Sequence, residues 1–201
     1  MQTTTTLPRP QGEVLPLTRF DGATSYPLSA RFHSSGNQPR SVLVWLKNER
    51  STSGFQIFGQ GTFSPNQMWT VTPRTDAEGL AVWALANDIN SQVTVAFEPG
   101  VWHHLGVTWD GTRWAFYYDG NLAANGTHHQ PFNTLDGYAF YGSSPSPPTG
   151  GVSDDNCATH SCWFKGEACD LRYFNYALTA EQVASYVSIP QAAAAASVSC
   201  C

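Results

Sequence analysis

The sequence predicts an all-β fold, a two-sheet antiparallel sandwich closed by one short C-terminal helix. Three observations predict it. First, "RWAFYYDG" places Trp114, Phe116 and Tyr118 on one face and Ala115, Tyr117 and Asp119 on the other. That is period-two alternation, ended by an Asp-Gly turn signal. Second, "SVLVWL" and "LAVWALA" are apolar on both faces, as strands inside a sandwich are. Third, only "LTAEQVASYV" reads as a helix. Thr179 and Gln182 form a capping box there, and Leu178 with Val183 a hydrophobic staple.

In chain order, residues 1–14 are a Thr- and Pro-rich flexible lead. Strands are expected near 15–20, 41–46, 55–60, 68–72, 80–86 and 92–97. Further strands follow near 103–109, 114–118, 121–124, 138–142 and 167–174. Turns at Asp110-Gly111, Asp119-Gly120 and Asn125-Gly126 divide the aromatic meander that begins at Trp102. A long loop rich in Ser, Pro and Gly, "SSPSPPTGGVSDDNCATHSCWF", follows Gly142; loops of this length are often functional. The helix is expected over 179–187. The domain thus spans 15–189, with an Ala-rich tail over 190–201.

At 201 residues, 41% hydrophobic and 13% aromatic, the chain has material for one substantial core. Its net charge of −5 leaves no basic footprint, so nucleic acid is not expected as a partner. No apolar run reaches the roughly 18 residues of a membrane span. No signal peptide is read in "MQTTTTLPRPQGEV", which has neither a basic start nor an apolar stretch. An extracellular, cell-surface or virion setting is compatible with this composition.

The segment "VWHHLGVTWDGTRWAFYYDGNLAA" resembles the signature of laminin-G-like domains of the concanavalin A-like lectin superfamily. "FDG" at 20–22, with Tyr26 and "VLVWLK", resembles the family's opening. "FKGEACDLRYFNYALTAEQVASY", residues 164–186, resembles its closing strand and helix. The resemblance covers about 20–187 and implies a jelly-roll sandwich. It makes His103 and His104 structural and assigns Trp45, Trp102, Trp109 and Trp114 to the core. One departure stands out: where the family has an acidic pair, this chain has Cys169-Asp170.

Hydrolases on this fold carry glutamate and aspartate alternating on one strand, because retaining chemistry needs two carboxyl groups about 5–5.5 Å apart. None of the six glutamates here begins such a motif, so an enzyme is not expected. Trp69, Trp83 and Trp163 map to no family core position. They are read either as core residues or, with Tyr138 and Tyr141 beside the long loop, as ligand-binding rings. Asp154, Asp155 and Asn156 offer oxygen ligands for calcium, with Asp170 able to help, against the alternative of a solvated turn.

Cys157 and Cys162 are expected to pair in an oxidising compartment; the alternative is a zinc site with His160 and Cys169. Asn125-Gly126-Thr127 is the sole glycosylation sequon, although Asn-Gly is also a strong turn dipeptide. Two functions survive. One is a non-catalytic recognition module, carbohydrate-binding or adhesive. The other is an assembly module of a virion, filament or larger extracellular complex, with a protein partner or a homo- or hetero-oligomer.

Overall fold

A computed structural model describes residues 17–22, 26–28, 34–49, 54–74, 79–136, 138–143 and 163–194. Among these described residues twelve strands and one helix follow in chain order. They are β1 (Thr18–Asp21), β2 (Tyr26–Leu28), β3 (Arg40–Asn48), β4 (Phe58–Gly61), β5 (Met68–Thr72) and β6 (Ala81–Trp83). Then come β7 (Ile89–Asn90), β8 (Trp102–Trp109), β9 (Arg113–Tyr118), β10 (Asn121–Thr127), β11 (Tyr138–Tyr141), β12 (Lys165–Phe174) and α1 (Ala180–Ala194). The first sheet has the order β1-β12-β3-β8-β9-β10, the second β2-β11-β4-β5-β6-β7, and every strand pairing is antiparallel. The architecture is the expected sandwich.

The core lies between the sheets. Val42, Val44, Leu46, Leu105, Val107, Trp109 and Phe116 from the first sheet meet Phe58, Trp69, Val71 and Val82 from the second. The other face of the first sheet is apolar too, and α1 covers it. Leu43, Tyr117 and Phe174 pack there against Leu178, Val183 and Tyr186. The cap is the expected box: Gln182 N donates to Thr179 Oγ1 at 3.3 Å and Thr179 N to Gln182 Oε1 at 2.9 Å. The helix runs on to Ala194 rather than stopping at 187, through Ser188, Ile189, Pro190 and Gln191 into the alanines at 192–194.

The hairpin at Asp119-Gly120 has φ of 48° and 79° at its two turn residues, as a two-residue primed turn requires. At Asp110-Gly111 the aspartate Oδ1 accepts the N–H groups of Thr112 and Arg113 at 2.8 and 2.6 Å. The third expected turn does not form. Asn125 and Gly126 lie inside β10, opposite Ala115 and Trp114 of β9.

Two strands also depart from expectation. The stretch 80–86 stops at Trp83 because Leu85 and Ala86 turn left-handed, with φ of 52° and 68°. The stretch 92–97 is irregular; Gln92, at φ 58°, breaks its extension, yet Phe97 still reaches the core.

His103 and His104 point to opposite sides of β8, as the alternation requires. His104 packs edge-on to Trp45 on the helix side, and burial lowers its pKa to about 4, against a smaller opposing effect of Asp119. His103 stacks on Tyr118 at 4.9 Å, and its Nδ1 lies 3.0 Å from Asp119 Oδ2. Both are built into the structure.

Candidate functional site

The register of the second sheet decides which side chains can meet a ligand. Phe58 pairs with Val71 and Gln60 with Trp69, and all four point inward. By alternation Gly59, Gly61, Met68, Thr70 and Thr72 belong to the outer face. On β6, Thr70 pairs with Trp83 and Thr72 with Ala81, which extends that face. Past the strand ends, Gly54 bridges Arg74 and Gln56 bridges Trp163. Phe164 is in the core, so its neighbour Trp163 belongs to the outer side.

Two indoles, a guanidinium, a primary amide and two hydroxyls therefore share one face of the second sheet. Arg74 sits over the half-buried Trp83 ring at 5.4 Å, a cation–π distance. Thr70, Thr72 and Gln56 are buried, and Trp163 is 7% exposed. Thr70 Oγ1 and Trp163 Nε1 are buried without a hydrogen-bond partner. Buried polar atoms normally have partners, and these two have none among the described residues. An aromatic face beside a guanidinium, as at Trp83 and Arg74, suits ring-shaped polyols: C–H faces meet indole, and hydroxyls meet guanidinium.

The five expected binding rings divide. Trp83 on β6 and Trp163 beside Gln56 both belong to the outer face, but only Trp83 is half-exposed there; Trp163, at 7%, is buried. Trp69, at 0% exposure, and Tyr141, at 1%, are core residues and offer no face to a ligand. Trp69 lies under the Arg40 guanidinium at 5.6 Å, and Tyr141 makes an edge contact with Phe20 at 4.8 Å. Tyr138 opens β11 opposite Gly61, and its side chain lies outside the described residues. Arg74, Gln56 and Thr70 were missed from sequence. The alternation of "MWTVT" carried the signal, since Thr70 and Thr72 share one side and Trp69 and Val71 the other.

Asp154, Asp155, Asn156, Cys157 and Cys162 lie outside the described residues. Asp170 sits at a bulge in β12 with φ 53°. Both its oxygens are held by Arg172, at 2.7 and 3.0 Å, and Arg172 in turn stacks on Tyr186 of α1. That pairing ties it to the helix side. Among the described residues no three His, Cys, Asp or Glu side chains gather as metal ligands. Cys169 is fully buried beside Trp45 and Val187 and is disulfide-bonded, its partner cysteine lying outside the described residues. A separate groove of about 520 Å³ lies at the other end of the molecule's first sheet, beside Asp110, Arg113 and Asn125.

The two antiparallel sheets and their order define a jelly-roll sandwich of the concanavalin A-like class. Residues 21–184 match the family model of the concanavalin A-like lectin/glucanases superfamily, in its laminin-G form, and the chain belongs to that family. No curated protein sequence matches the chain. Its fold is similar to domain 4 of AbnA, an extracellular arabinanase from Geobacillus stearothermophilus, solved with arabinotriose. That similarity has TM-score 0.65 and 22% identity over 88% of this chain and 79% of the other. A heptameric SAP-like pentraxin from Limulus polyphemus gives TM-score 0.60 and 19% identity over 90% and 79%. The CBM40 of a Ruminococcus gnavus sialidase, bound to α2,3-sialyllactose, gives TM-score 0.60 and 12% identity over 87% and 100%.

Proposed function

We propose that this domain is a non-catalytic carbohydrate-binding module that takes its ligand on the outer face of the second sheet. The observation that carries the reading is the half-buried Trp83 ring on that face with the Arg74 guanidinium over it at 5.4 Å. The family and the sugar-bound relatives support it.

An extracellular setting fits the disulfide at Cys169, because such bonds persist where the compartment is oxidising. Among the described residues no helix is long and apolar enough to cross a membrane. The assembly reading has no observation that favours it over this one. Single-site affinity is expected in the millimolar to micromolar range, about 4–8 kcal/mol.

The test is a glycan array probed with the full chain, in calcium and in chelator. Binding abolished by Trp83→Ala supports the face. Binding lost in chelator supports a role for calcium, and its loss in Asp154→Ala and Asp155→Ala proteins would place the ligands there. No glycan bound in either buffer refutes the reading.

A further inference from the structure

The Asn-Gly dipeptide at 125–126 has a ready explanation in sequence, a tight turn, and the structure removes it. Both residues are in the body of β10, paired with β9, and β10 is the outermost strand of the first sheet. Gly126 has its own reason. A Cβ there would come within 2.6 Å of Trp114 Cζ2, so the indole needs a residue without a side chain. Asn125 and Thr127 have no such reason. Both are exposed, and among the described residues neither side chain makes a hydrogen bond. They are two apart on a strand, so amide and hydroxyl share one side.

That side opens into a groove of about 520 Å³, lined by Thr108, Asp110, Arg113, Asn125, Thr127 and Leu178. Its lining is rich in hydrogen-bonding groups and large enough for a sugar ring. The strand beside it is an edge whose protection among the described residues is a single bulge between Leu122 and Ala124. Residues 121–127 contain no charged side chain and no proline, and no described strand pairs with their outer side. Exposed edges of this kind invite pairing with other chains unless something covers them.

We propose that Asn125 is an N-glycosylation site whose first sugar seats in this groove and whose chain shields the β10 edge. Asn125 Nδ2 would attack the anomeric carbon of a lipid-diphosphate-linked oligosaccharide. A C–N bond forms, the C–O bond to the diphosphate breaks, the lipid diphosphate leaves, and Nδ2 loses one proton to a base of the transferase. Thr127 supplies the hydroxyl that the transferase reads two residues on. The proposal is independent of the ligand face, which lies on the other sheet.

The test expresses the full chain behind a secretion leader in a eukaryotic host, as wild type, N125Q, T127A and T127S. Intact mass before and after N-glycanase is the readout. Wild type and T127S should carry a glycan that the enzyme removes, leaving aspartate at 125, and N125Q and T127A should carry none. Secreted wild type without a glycan overturns the site, as does a glycan that persists in N125Q. Light scattering of wild type before and after N-glycanase tests the shielding. Increased self-association after removal supports it, and an unchanged monomer refutes it.

Discussion

Trp69 and Trp83 stand on adjacent strands of one sheet and face opposite sides of it. Trp69 pairs with Gln60 and is sealed in the core, whereas Trp83 pairs with Thr70 on the outer face under Arg74. Their replacements should therefore fail in different ways. Trp69→Ala should lose roughly 3–5 kcal/mol of stability. Trp83→Ala should lose far less, and its deficit should appear in glycan affinity. Urea melts of both variants, beside wild type, distinguish them.

Acid should weaken the fold through His104. Burial lowers its pKa to about 4 from 6.5, so between those values the unfolded chain binds a proton that the folded chain refuses. Stability from this group is fully present above pH 6.5 and is lost as pH falls through about 4. The size is on the order of 3 kcal/mol. His128, also lowered by burial, acts in the same direction. Urea melts at pH 7 and pH 4.5 should show a smaller drop for His104→Gln than for wild type.

Arg40 is buried at the start of β3 without an acidic partner among the described residues. Its Nε donates to Gln38 O at 3.0 Å, Nη1 to Thr134 Oγ1 at 3.2 Å and Nη2 to Gly36 O at 2.6 Å. Burial lowers its pKa to about 10, so it keeps its charge at neutral pH. Arg40→Met would leave these acceptors unpaired, at about 2–4 kcal/mol. Arg40→Lys should rescue little, since an ammonium lacks the planar fork. Thermal melts at pH 7 read both variants.

Two glycines give a matched pair. A Cβ at Gly166, whose φ is +147°, would meet Lys47 O at 2.1 Å. At Gly100, with φ +80°, it would meet nothing within 4 Å. Gly100→Ala should cost only backbone strain, about 1–2 kcal/mol. Gly166→Ala adds a backbone clash and should cost more than about 3 kcal/mol. Comparing their melting temperatures checks the register of β12 on β3.

Most of the sandwich is legible in sequence because alternation and Asp-Gly turns are local signals. β5 spans Met68–Thr72, and the meander from Trp102 to Tyr118 follows its own pattern. What is not legible is set by tertiary pairing. Asn125-Gly126 favours a turn, yet the ladder with β9, up to Thr127 opposite Arg113, overrides it. Leu85, Ala86 and Gln92 adopt left-handed backbone that no composition announces. The site is half legible for the same reason. Trp83 and Trp163 were recognisable as rings, but their shared face depends on Gln56 bridging Trp163 across 107 residues of chain, numbered 56 and 163. No sequence period spans that distance.

The most direct measurement is calorimetric titration of the best array glycan into wild type, Trp83→Ala and Trp102→Ala, the last a ring beside Lys47 on the first sheet. The account predicts that Trp102→Ala binds as wild type does, while Trp83→Ala weakens binding at least about tenfold, or 1.4 kcal/mol, with its fold intact. Undiminished binding by a folded Trp83→Ala protein would contradict the account.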